Sequence, residues 1–304
     1  MHVRDAAETH FSRARSRAML SEIRNLMNAE KDKLLSFYDV KDMLRPKSQT
    51  YVGMRAVPVA LIVGSEGRYR DFNRYFLPKA DHLRGRWTRI DEARIREIAL
   101  PAIQLYEIGG AYFVRDGNHR VSVAKTQGVE FIDAEVTSLS SQVSIAPGMT
   151  ADQLRAALIA YEKRAFYEST NFGALTGDEA LDFSALGRYD EIADHILGHK
   201  YFMNETREGE IPADEALVSW YKNVYSPTIE AIEKQWLLAN FPGRTKSDLY
   251  VWIVKHWDFL KKKSRAYPLS DAAGDFADKY GRKEGRAFRL LSLLAARFFG
   301  RAGG

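Results

Sequence analysis

The residues best suited to chemistry sit in one run, Tyr112–Gly128, which reads YFVRDGNHRVSVAKTQG. An apolar stretch leads to Asp116, a Gly117–Asn118 turn follows, and a helix is predicted from about His119. The first turn of a helix leaves backbone N–H groups unpaired and attracts anions. Gly117 lets the backbone approach a ligand closely, and Asn118 tolerates positive φ. Arg120 offers a planar fork for phosphate or carboxylate, and His119 and Ser122 add donors at the same rim. The spacing equally suits a plain capped turn, with Asp116 serving its own loop and Arg120 in solvent.

A second loop, Gly64–Phe72, follows a predicted strand and reads GSEGRYRDF. Gly64, Ser65 and Arg68 would close the other side of an anion site; a polar surface loop is the alternative. No GK[ST] follows a glycine-rich turn anywhere in the chain, so nucleotide binding through a P-loop is excluded. His195 and His199 stand at i, i+4, a spacing that suits a metal on a helix. No glutamate occupies the position a zinc protease needs, and Gly198 weakens the helix, so packed histidines fit better and no metal site is expected. Trp220, Tyr221, Tyr225, Trp236, Tyr250, Trp252 and Trp257 recur at helical spacing, which fits a core better than base stacking.

These residues need elements to hold them. Apolar residues at three- and four-residue steps predict helix over 8–45, ending before Pro46. Val57, Val59, Leu61 and Val63 alternate as in a strand, and 91–99 reads as a short helix with Asp91 at its N-cap. Ile103–Ile108 and Ala111–Val114 form a hairpin about Gly109–Gly110. The helix from His119 closes at Gly128, and Val129–Val136 is a third strand. Beyond Pro147–Gly148 helices are expected at about 151–168, 187–203, 213–239, 246–262 and 270–299, with Pro227 breaking or kinking the third. The fold class is α+β: a helical arm at 1–50, an α/β domain at 51–148, a mostly helical domain at 149–275 and a basic amphipathic tail at 276–304.

Composition narrows the function classes. The chain has 304 residues, no cysteine, 45 Lys+Arg and 40 Asp+Glu. Without cysteine there are no disulfides, thiolate metal sites or thiol nucleophiles, which fits a cytoplasmic location. The longest apolar stretch, Leu290–Phe299, contains Arg297 and is too short for a membrane span, and no signal-like segment opens the chain. The net charge of +5 is unevenly spread: residues 151–275 carry 15 basic and 20 acidic side chains, and residues 276–304 carry 7 and 2. The basic tail suits docking on the acidic block, within the chain or in a homodimer, ahead of a lipid surface or DNA.

The run LPAIQLYEIGGAYFVRDGNHRVSVAKTQGVEFIDAEV resembles the core of the ParB/sulfiredoxin superfamily over about residues 50–140, and its DGxHR-type turn is the most specific part. That resemblance implies nucleotide phosphates bound at the turn and helix start by Asp116, Gly117, Asn118, His119 and Arg120. Asn118 stands where sulfiredoxin carries its catalytic cysteine, so peroxiredoxin repair is excluded. The arginine-rich nucleotide motif and helix-turn-helix of partition proteins are not recognisable. GRYDEIADHILGHKYF, WYKNVYSP and FPGRTKSDLYVWIVKH, within about 155–265, resemble an uncharacterised helical domain that accompanies ParB-like domains in bacterial proteins. The implied function is a nucleotide-responsive, DNA-associated regulator of transcription or partition, taking a nucleoside triphosphate with Mg²⁺. A small-molecule phosphotransferase or a nucleotide hydrolase on the same turn is the alternative.

Overall fold

A computed structural model describes residues 3–24, 32–205 and 209–263. The expected tail helix at 270–299 lies outside them. The chain divides into two units, Met1–Leu158 and Ile159–Gly304, with the division inside a helix Ala151–Thr170. The class is α+β, as the alternation of strand and helix patterns predicted.

The first unit is built on six strands. They are β1 (Leu35–Ser36), β2 (Gln49–Pro58), β3 (Ile62–Ser65), β4 (Ile103–Ile108), β5 (Ala111–Asp116) and β6 (Phe131–Leu139). Their order across the sheet is β1-β3-β5-β4-β6-β2. β1, β3 and β5 run parallel; β4 pairs antiparallel to β5 and parallel to β6, and β2 closes the far edge antiparallel to β6. Four helices belong to this sheet: α1 (Val3–Arg24), α2 (Phe37–Leu44), α3 (Arg84–Ile95) and α4 (Asn118–Thr126). Its core joins Ile62, Ile103, Leu105 and Val114 from the strands to Phe11, Trp87 and Val121 from the helices.

Three expectations change here. The helix expected over 8–45 is not continuous: Leu35 and Ser36 form β1 beside Gly64 and Ser65, and α2 starts afresh with Ser36 accepting from the Asp39 N–H. A two-residue strand has no sequence period, so only its distant partner defines it. The segment 1–50 therefore contributes to the sheet, and α1 packs on α3 through an edge-to-face Phe11–Trp87 pair 5.6 Å apart. The strand expected over 57–63 is two strands, separated by a tight helical turn at Val59–Leu61. Finally, α3 begins at Arg84, and Asp91 is not its N-cap. Asp91 is wholly buried, 2.7 Å from His10 Nδ1 and 3.0 Å from Gln127 Nε2. The inward face of α3 is Trp87, Thr88 and Asp91, too polar to read as an apolar stripe.

The second unit is helical. The helix Ala151–Thr170 is α5, followed by α6 (Phe172–Thr176), α7 (Arg188–Glu205), α8 (Ala213–Trp220), α9 (Ser226–Lys234) and α10 (Lys246–Lys263). The long third helix expected at 213–239 is interrupted as Pro227 predicted. The backbone widens into a π-helical turn at Tyr221–Tyr225 before resuming as α9. Proline cannot donate a helical hydrogen bond, and its ring crowds the preceding turn, so the helix opens there. Six of the seven aromatic residues singled out by sequence join a core, in which Trp220 Nε1 donates to the Tyr250 hydroxyl at 3.0 Å and the Tyr225 and Ser247 hydroxyls are 2.8 Å apart. Trp236 is instead 80 % exposed, since α9 ends before it. No helix of the described residues is long and apolar enough to cross a membrane.

Candidate functional site

Parallel strands end on the same edge of a sheet, where α/β proteins gather ligand groups. The register sets Ser36 beside Ser65 and Ser65 beside Val114, so β1, β3 and β5 end together, with Asp116 two residues further on. The two loops singled out by sequence, Gly64–Phe72 and Asp116–Arg120, leave the sheet from that edge. Glu66 N–H and Ser65 Oγ both donate to the Val114 carbonyl, at 2.9 and 3.3 Å.

Gly117 turns the chain from β5 into α4 with φ of 106°. A side chain there would be strained and would collide with Ile103. The Val121 N–H donates to the Gly117 carbonyl at 3.0 Å, so the N–H groups of Asn118, His119 and Arg120 precede the first helical bond. Asn118 and His119 are 7 % and 5 % exposed. Asn118 Oδ1 and His119 Nδ1 are buried with no hydrogen-bond partner among the described residues. Leaving such an atom unpaired costs about 1–3 kcal/mol, so each is unusual in a folded chain.

His119 packs edge-on against Phe72, ring centroids 5.4 Å apart. Burial lowers its pKa from 6.5 to about 4, with nearby Arg86, Arg68 and His82 pushing the same way and Asp71 opposing. The ring is therefore neutral at pH 7, and the charge around it is positive. Arg68 bonds to Asp71 at 2.9 Å through Nη1, and its backbone N–H donates to Ser65 Oγ at 3.2 Å. Arg86 is exposed on the first turns of α3.

Other predicted site residues serve the chain itself. The guanidinium of Arg120 donates to Asp116 at 2.5 Å and to the carbonyls of Pro101 and Ala102, holding the segment before β4. Its fork is spent on its own chain. Gly64 allows close strand packing, since a Cβ there would fall 2.6 Å from the Leu35 carbonyl and into the Phe113 ring. Ser65 is fully buried and shapes the turn. Ser122 lies in the core, accepting from Trp87 Nε1 at 2.9 Å and donating to the Phe76 carbonyl at 2.5 Å. His199 Nε2 lies 3.0 Å from Ser219 Oγ, and the His195 ring meets Tyr250 edge-on. Among the described residues no three His, Asp, Glu or Cys groups come together as a metal site.

His82 and Arg86 were not singled out from the sequence. They stand four residues apart, His82 in the tight turn Asp81–Leu83 that leads into α3 and Arg86 in the first turn of α3, and that basic spacing at a helix start is the signal that would have marked them. What results is an α+β protein with a helix start bearing free N–H groups, two unpaired buried polar side chains and cations around a neutral imidazole. No protein-family description, curated protein or solved structure matches the chain.

Proposed function

We propose that this protein binds a phosphate-bearing ligand, in first place a nucleotide, at the turn between β5 and α4. One observation carries the reading: Asn118 Oδ1 and His119 Nδ1 are buried without partners at the first turn of a nine-residue helix. The N–H groups of residues 118–120 and a His119 ring carrying its proton on Nδ1 suit several phosphate oxygens at once, while Asn118 Oδ1, an acceptor, suits a hydroxyl or amino donor elsewhere on a nucleotide. Arg86 and Arg68, the latter already set opposite the turn by sequence and here paired with Asp71, supply the positive charge in place of Arg120. Arg120 and Asp116 instead hold the turn in shape. The readout as a DNA-associated regulator rests on the ParB-like resemblance and on the basic tail, as does Mg²⁺ accompanying a triphosphate.

The test is calorimetric titration of the full-length protein with inorganic phosphate and with nucleoside triphosphates, with and without Mg²⁺. Asn118→Ala is expected to weaken the preferred ligand by about tenfold, the worth of one good hydrogen bond at a helix start. Equal affinity in that variant, or no heat with any ligand, would sink the proposal.

A further inference from the structure

The other end of α4 borders a different cavity. A groove of about 760 Å³ is walled by Pro58, Val59, Tyr75, Leu77, Val129 and Phe131, with Lys125 and Arg17 as its cations and Glu130 as its one carboxylate. A smaller cavity of about 280 Å³ adjoins it, sharing Ala60, Tyr75 and Lys125. Lys33 and Arg74 also line the smaller cavity, and no acidic residue does. Phe131 and Tyr75 are more than half exposed, so the apolar floor reaches the surface.

Lys125 is the unusual group. It is partly buried, its Nζ donates to the Ile62 carbonyl at 2.8 Å, and it lies 5.2 Å from the Phe76 ring centre. No carboxylate pairs with it among the described residues. An ammonium has three N–H donors, and one carbonyl takes one of them. A charge withdrawn from water without a counter-ion is costly, and burial lowers the Lys125 pKa from 10.5 to about 8. An anion with an apolar body would answer both features, since its charge would pair with Nζ and its body would cover Val59, Leu77 and Phe131.

We propose that this groove binds an amphipathic carboxylate, with its head group on Lys125 and its aliphatic body along the apolar floor. Arg17 sits at the wall as a second cation for the head group. The site is separate from the β5–α4 turn and stands whether or not that turn binds phosphate.

Octanoate is the probe, and octan-1-ol, with the same chain and no charge, is the control. Calorimetric titration of the full-length protein should show octanoate binding at least about tenfold more tightly than octan-1-ol. In Lys125→Met, which keeps the apolar stem, the two should bind within about twofold of each other. No binding of octanoate, or an unchanged preference in the variant, overturns the proposal. A second measurement needs no variant. Acetylation of Lys125 at pH 8, mapped by mass spectrometry, should be slowed by octanoate and not by octan-1-ol; equal rates overturn it. Inorganic phosphate should not displace octanoate, and displacement would merge the groove with the turn and overturn the separate site.

Discussion

The helical core around Trp220 and Asp248 and the start of α4 treat buried polar atoms in opposite ways. In the helical unit Trp220 is bonded to Tyr250, Tyr225 to Ser247, and Asp248 takes the Ser184 hydroxyl at 2.6 Å and the Thr245 N–H at 3.0 Å. At the start of α4, Asn118 and His119 are as deeply buried, yet each keeps an unpaired atom. Paired groups hold a core together. Unpaired ones cost stability, and such a cost persists where a ligand completes the bonds. Under the proposed function, the helical core is a scaffold and the turn is the place where a ligand would complete the missing bonds. Ser122 is fully bonded, so within α4 the exception is its first turn; elsewhere in the first unit Arg15 Nε and Nη1 and Asp32 Oδ2 are also buried without partners among the described residues.

The largest expected effect lies on the scaffold side. Asp248→Ala strips partners from Ser184 and from the Thr245 N–H, the return half of the capping box that opens α10, and should lower stability by about 3 kcal/mol. Chemical denaturation measures the loss, and phosphate titration should be unchanged. A loss below about 1 kcal/mol would erase the contrast.

His119→Phe tests the other side. Phosphate affinity should fall by tenfold or more while stability holds or rises, because an unpaired polar atom is exchanged for carbon. A clear loss of stability would make His119 an ordinary core residue. The same variant should alter the pH profile. In the unfolded chain this histidine takes up its proton near 6.5, and in the folded protein only near 4. The unfolded state therefore binds more protons between those values, and stability falls as pH drops from 6.5 through about 4. The buried ring contributes on the order of 3 kcal/mol to that fall, which His119→Phe should remove. An unaltered acid limb in the variant would assign the slope elsewhere.

The smallest effect belongs to Arg86. It is exposed, so Arg86→Ala should weaken phosphate two- to threefold at low salt, less at high salt, and shift stability by under about 0.5 kcal/mol. A salt-independent loss would mean direct contact with the ligand and would enlarge the site.

Much of the turn was legible because its chemistry is local. Gly109–Gly110 joins two strands, Gly117 starts a helix and Gly128 follows its end, as the residue types require. The role of Arg120 was not legible, because the carbonyls of Pro101 and Ala102 that occupy it are nineteen and eighteen residues away. Lys125 passed unnoticed for a similar reason: its surroundings are Ile62, Phe76 and a groove assembled from β2, β6 and the segments beside them.

The sequence by itself determined the α+β class, the hairpin and the turn after Asp116, since turn residues and short apolar periods act over a few positions. Only the tertiary structure decided that Leu35–Ser36 is a strand, that Asp91 is a buried partner of His10 and Gln127, and that Arg68 and Arg86 surround His119. Each of those depends on groups brought together across tens of residues, and burial, pairing and local charge exist only once they meet.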